Sequence, residues 1–147
     1  MGDDNEIKNQ YMKLAVKEAE KALKIGEVPI GAVIVCKGKV ISRGFNCRER
    51  KRNALWHAEI VAIDRACKKL KGWRLDDCEM FVTLQPCQMC MGAITNARIK
   101  KVYYGAQTTS DLNWKVDEEF FQCEKCGDII KDFFKTWRGE VKGGRRD

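Results

Sequence analysis

The chain contains one histidine, and its surroundings restrict the possible folds more than any other feature. It stands in Trp56-His57-Ala58-Glu59, and Pro86-Cys87-Gln88-Met89-Cys90 follows well downstream. One imidazole and two thiolates are donors of the borderline-soft kind that zinc takes. Three ligands leave the fourth tetrahedral position open, which separates a reactive site from a closed structural one. Glu59 is placed to move protons on whatever fills that position. A fold for this chain must therefore bring two distant segments to one point. Pro86 suits the first turn of a helix, so Cys87 and Cys90 lie one turn apart on one face at its start. Helical periodicity from Trp56 to Leu70 puts His57 at the start of another helix, with Glu59 in its first turn. Two helix N-termini aimed at one spot give a positive local field, which favours the thiolates that metal binding requires.

The remaining pattern supplies the scaffold. Ile7 to Ile25 has apolar residues at helical spacing, and Gly26 and Pro29 end it. The apolar runs Ile30 to Cys36 and Val40 to Phe45, separated by Lys37-Gly38-Lys39, predict a hairpin. Met80 to Leu84 and Lys101 to Tyr104 read as strands and Cys87 to Ala97 as a helix. The stretch from Asp117 to Trp137 is expected to contain a last helix carrying Phe120, Phe121, Ile129, Ile130, Phe133 and Phe134. Strands alternating with helices indicate an α/β layered domain, and 147 residues suit one domain over residues 1–147.

A net charge of +7 fits a polyanionic partner such as nucleic acid, and fits a generic basic surface equally well. Basic residues cluster in Arg48-Glu49-Arg50-Lys51-Arg52 and in the tail from Lys135 to Arg146. Eight cysteines are too sparse for a disulfide scaffold. The opening residues, Met1 to Glu6, are polar and acidic rather than signal-like, and no apolar run is long enough to span a bilayer. These features lead us to expect a cytoplasmic protein with no membrane partner, its cysteines serving as thiols or metal ligands. A second C-x-x-C, Cys123-Glu124-Lys125-Cys126, has no histidine left to join it, and is read as packing on a helix face rather than as a second metal site. The Phe120-Phe121 and Phe133-Phe134 pairs are read as core.

From about Tyr11 to about Gly105 the chain resembles the bacterial tRNA-specific adenosine deaminases, within the zinc nucleobase deaminases marked by H-x-E and P-C-x-x-C. The matching stretches are Gly26-Glu27-Val28-Pro29-Ile30-Gly31-Ala32-Val33, Gly44-Phe45-Asn46, His57-Ala58-Glu59-Ile60, Phe81 to Cys87 and Met89-Cys90-Met91-Gly92-Ala93-Ile94. The resemblance implies a three-layer α/β/α, cytidine-deaminase-like fold with a central mixed sheet of four to five strands, assembled as a homodimer. It implies that His57, Cys87 and Cys90 hold zinc and that Glu59 shuttles protons. Asn46 and the backbone amide of Ala58 would hold the base, with Val28 and Ile30 on the substrate side. The implied reaction converts adenosine to inosine, at the wobble position of tRNA. A free nucleobase, nucleoside or nucleotide is the alternative substrate, and a catalytically silent zinc protein binding RNA is a third reading. Two features depart from the family: Gln85 replaces its usual Glu, and the segment Gln107 to Lys115 is short and lacks histidine. Trp114 in that segment is a candidate for part of the pocket wall.

Overall fold

The computed structural model describes residues 4–108 and 116–143, with side chains described through residue 136. Trp114 and the tail beyond 136 lie outside the described side chains. In chain order the elements are α1 (Asp4–Lys24), β1 (Gly31–Cys36), β2 (Lys39–Phe45), α2 (Arg48–Lys51), α3 (Ala58–Leu70), β3 (Cys78–Val82), α4 (Gln88–Asn96), β4 (Lys101–Tyr104), β5 (Asp117–Phe120) and α5 (Glu124–Gly143). The strands form one mixed sheet in the order β2-β1-β3-β4-β5. β1 is antiparallel to β2 and β3, while β4 is parallel to β3 and β5. The expected hairpin is present: Cys36 pairs with Lys39, and Lys37 and Gly38 between them both have positive φ, 51° and 79°. That is the combination a two-residue turn needs to match strand twist.

Both faces of the sheet are covered, so the central strands are apolar on both sides. In β1, Ala32 and Ile34 point to a cluster with Ala58, Ala62 and Ala66 of α3 and Met91 and Ile94 of α4. Val33 and Val35 point the other way, to Met12, Ala15 and Val16 of α1 and Cys126 of α5. This alternation on a two-sided strand explains the unbroken apolar run of β1. Phe81 of β3 anchors the α1 face, stacked on Tyr103 with ring centroids 4.6 Å apart and tilted against Tyr11 at 5.2 Å. Burying such a side chain contributes about 1.5–3 kcal/mol. Two glycines let the helices approach the sheet. A Cβ on Gly31 would lie 2.1 Å from the Ala15 carbonyl oxygen of α1, and one on Gly44 would lie 2.6 Å from the Ala58 carbonyl oxygen of α3.

The expected three-layer α/β/α architecture with a mixed sheet is observed, with five strands. The last helix differs from expectation. Asp117 to Phe120 is a strand, β5, and α5 begins only at Glu124. Phe120 and Phe121 accordingly point to opposite faces: Phe121 meets Tyr103 edge-on at 6.3 Å, whereas Phe120, expected in the core, stacks on Tyr104 at 5.7 Å on the outer strand and stays 40% exposed. The acidic run Asp117-Glu118-Glu119 gives no strand signal by propensity. It pairs because β4 presents a free parallel edge, and Lys101 of β4 bridges to Glu119 at 2.9 Å and to Asp117 at 3.8 Å. Charges on this outer strand also discourage further pairing at the edge. Among the described residues, no helix is long and apolar enough to cross a membrane.

Candidate active site

His57 is the N-cap of α3 and Cys87 the N-cap of α4. Neither side chain caps its own helix, so both are free to turn toward each other. Cys90 sits in the first turn of α4, fully buried, and completes the group. Nδ1 of His57 lies 3.7 Å from the Cys87 sulfur and 3.4 Å from the Cys90 sulfur. The three donor atoms all lie within 4.8 Å of one another. A four-coordinate ion with bonds of about 2.0–2.3 Å separates neighbouring ligand atoms by about 3.3–3.8 Å. The donor set and its spacing therefore fit a metal ion. The expected convergence of two helix starts is what the structure shows.

Glu59, on the first turn of α3, is 4% exposed. Burial pushes its carboxyl up to about 7, against the opposing pull of its own backbone amide, of His57 and of a hydrogen bond from the Cys90 thiol. Cys87 is held down to about 3 by hydrogen bonds, first from Cys90 and then from His57. The Cys90 thiol is raised, by its bond to Cys87 and by burial. The His57 imidazole is raised chiefly by donating to Cys87. Metal capture requires both cysteines as thiolates and the imidazole neutral at its ligating nitrogen.

The second group of expected residues lies at the β1–β2 end of the sheet. Asn46, at the end of β2, is buried, and its backbone amide donates to the Ile30 carbonyl at 3.1 Å. Asn46 and Val28 line a cavity of about 200 Å³ together with Glu27, Arg48, Phe133 and Phe134. The backbone amide of Cys47, the residue after Asn46, donates to the Trp56 carbonyl at 3.0 Å, next to His57. Ala58 is the first residue of α3, where a backbone N–H has no partner within the helix. Phe133 and Phe134, expected in the core, instead form a T-shaped pair at 5.3 Å that is partly exposed on this cavity.

Sequence reasoning gave Glu27 no role. It is 2% exposed and accepts from Asn46 Nδ2 at 3.4 Å, from the Glu49 amide at 3.3 Å and from the Arg50 amide at 2.7 Å. This carboxylate orients the Asn46 amide and holds the N-terminal amides of α2. Its neighbours in sequence carry no hint of that, because its partners lie far along the chain; only its place in the Gly26-to-Val33 stretch marks it. Gln85 accepts at Oε1 from the Thr108 amide at 3.1 Å and the Thr108 hydroxyl at 3.2 Å. The amide thus keeps the acceptor that a carboxylate would offer, and uses it to fasten the start of the shortened segment.

Comparison with known proteins places the chain in a family. The MafB19-like deaminase family model matches residues 6–138. The tRNA-specific adenosine deaminase of Bacillus subtilis (strain 168) is 41% identical over 152 residues, covering 93% of this chain and 94% of that protein. The enzyme of the same description from Aquifex aeolicus (strain VF5) is 35% identical, covering 91% and 98%. The Bacillus alignment is longer than the 147 residues of this chain, so that relative carries residues absent here. Among solved structures, one from studies of A-to-I editing by tRNA:A34 deaminases superposes with a TM-score of 0.76 at 35% identity, covering 82% of this chain and 99% of that one. A guanine deaminase from Bacillus subtilis superposes with a TM-score of 0.66 at 32% identity, covering 89% and 93%. The chain belongs to the MafB19-like deaminases and is a relative of the tRNA-specific adenosine deaminases.

Proposed function

We propose that this protein is a zinc-dependent hydrolytic deaminase that converts adenosine to inosine at the wobble position of tRNA. The observation that carries the reading is the convergence of His57, Cys87 and Cys90 at two helix starts with the buried Glu59 beside them. His57 Nδ1 and the sulfurs of Cys87 and Cys90 would hold the zinc, which would supply Lewis-acid activation of water at neutral pH. Glu59 is the catalytic acid and base. Its carboxylate takes a proton from the attacking water and passes it to N1 of the purine, and then serves the amine that leaves C6 as ammonia. Asn46, held by Glu27, fixes the base by hydrogen bonding. The Ala58 amide adds a donor at the helix start, and Val28 and Ile30 supply apolar wall. The chain works as one domain over residues 1–147, in a cytoplasmic homodimer.

The substrate assignment is supported by relatives named as tRNA-specific, by the net charge of +7, and by Arg48, which lines the cavity, with Arg50, Lys51 and Arg52 following it on or next to α2. The guanine deaminase relative and the shortened segment after Gly105 favour a second reading, turnover of a free base. A mass-spectrometric deamination assay separates the two. The zinc-loaded protein is given tRNA with adenosine at the wobble position, beside free adenine, guanine, cytosine and their nucleosides. Inosine in the tRNA alone is the expected result, whereas turnover of a small molecule alone overturns the tRNA assignment.

A further inference from the structure

The deaminase site does not use the second C-x-x-C. Cys123 immediately precedes α5, and Cys126 lies in its first turn. The two sulfurs are 2.6 Å apart, with the Cys126 thiol donating to Cys123, and the Cys126 backbone amide also donates to the Cys123 sulfur at 3.2 Å. No third metal-ligating side chain joins them among the described residues, where His57, Cys87 and Cys90 form the one group of that kind. Cys126 is 1% exposed in the α1-side core, where its sulfur fills the space that a side chain on Gly105 would take. Cys123 is half-buried and lines two surface grooves, of about 510 and 610 Å³, one on each side of the start of α5. The pair thus has one reachable sulfur and one buried behind it. A disulfide bond of about 2.04 Å requires the sulfurs to close by only about half an ångström.

We propose that Cys123 and Cys126 form a metal-free dithiol site that exchanges with low-molecular-weight disulfides, Cys123 being the attacking sulfur, reached from solvent, and Cys126 the resolving one. The Cys123 thiolate attacks one sulfur of the incoming disulfide, that S–S bond breaks, and one thiolate leaves. The departing thiolate takes the Cys126 proton, and the Cys126 sulfur attacks the Cys123 sulfur and expels the second thiolate, which is protonated from water after the Cys123 thiol gave up its own proton. Two electrons pass from the two cysteines to the disulfide, two thiols are released, and an intramolecular disulfide remains. Cys123 is the sulfur that solvent reaches, which makes it the attacking one, while burial and the bond to Cys123 push the Cys126 thiol up.

The test uses the full-length, zinc-loaded protein and oxidised glutathione, followed by quenching with N-ethylmaleimide and peptide mapping. A Cys123–Cys126 disulfide that dithiothreitol reverses is expected, with the loss of both free thiols from that peptide. Cys126→Ser is expected to trap a glutathione adduct on Cys123, and Cys123→Ser to leave Cys126 unmodified, both with wild-type zinc content. Both thiols remaining alkylatable after exposure would overturn the proposal, as would a disulfide formed elsewhere in preference. A second zinc per chain, lost in Cys123→Ser, would show a metal site instead and overturn it equally.

Discussion

The two C-x-x-C segments are built alike and stand in different surroundings. In each, the first cysteine stands at the start of a helix and the second in its first turn, close to another donor. At α4 that donor is His57, delivered by α3 together with Glu59. At α5 it is, among the described residues, only the partner sulfur, backed by Gly105. A local motif therefore sets the spacing of two sulfurs, and the layer arrangement decides what they become. α3 and α4 cover the same face of the sheet and start at one point, whereas α5 lies on the other face with α1. A thiol pair on the first face meets an imidazole and a carboxylate. On the second face it meets aliphatic and aromatic core.

This contrast can be broken by exchange of single residues. Cys90→Ser should abolish zinc retention and all turnover, while Cys126→Ser should leave the zinc content at the wild-type level; metal analysis of the two proteins checks this. Glu59→Gln should keep zinc and lose on the order of 10²–10⁴-fold in kcat, the range of a general acid–base group. Glu27→Ala strips Asn46 and two α2 amides of a buried acceptor. Its cost of about 1–3 kcal/mol should appear as a fall of roughly ten- to a hundred-fold in kcat/KM with zinc content unchanged, read by steady-state kinetics. Gly31→Ala and Gly44→Ala should each destabilise by about 1–3 kcal/mol through overpacking in denaturant unfolding. They should differ at the metal: Gly44 lies under the first turn of α3, next to His57, so only Gly44→Ala should also weaken zinc binding. Cys123→Ser, the mildest change, should leave turnover of the reduced enzyme unaltered.

Much of this was legible in sequence where the signal is local. The Lys37-Gly38 turn, the start of α4 after Pro86 and the pairing of His57 with Glu59 each rest on residues within a few positions of one another. The donor group was legible too, because one histidine and one P-C-x-x-C leave few ways to assemble three soft ligands. β5 was not, since Asp117-Glu118-Glu119 has no strand propensity and pairs only because β4 offers an edge and Lys101 a counter-charge. Glu27 was not, because its meaning depends on amides that reach it from α2 and on Asn46. The Phe133–Phe134 pair read as core because spacing reports an apolar face and not what the face meets; here it meets the cavity beside Asn46.

The most direct test of the central claim follows inosine formation in tRNA by Glu59→Gln, beside wild type, with the zinc content of both determined on the same preparations. The account predicts equal zinc, inosine at the wobble position from wild type, and almost none from the variant. Full activity in Glu59→Gln, or a wild-type protein that carries zinc and deaminates nothing, would contradict it.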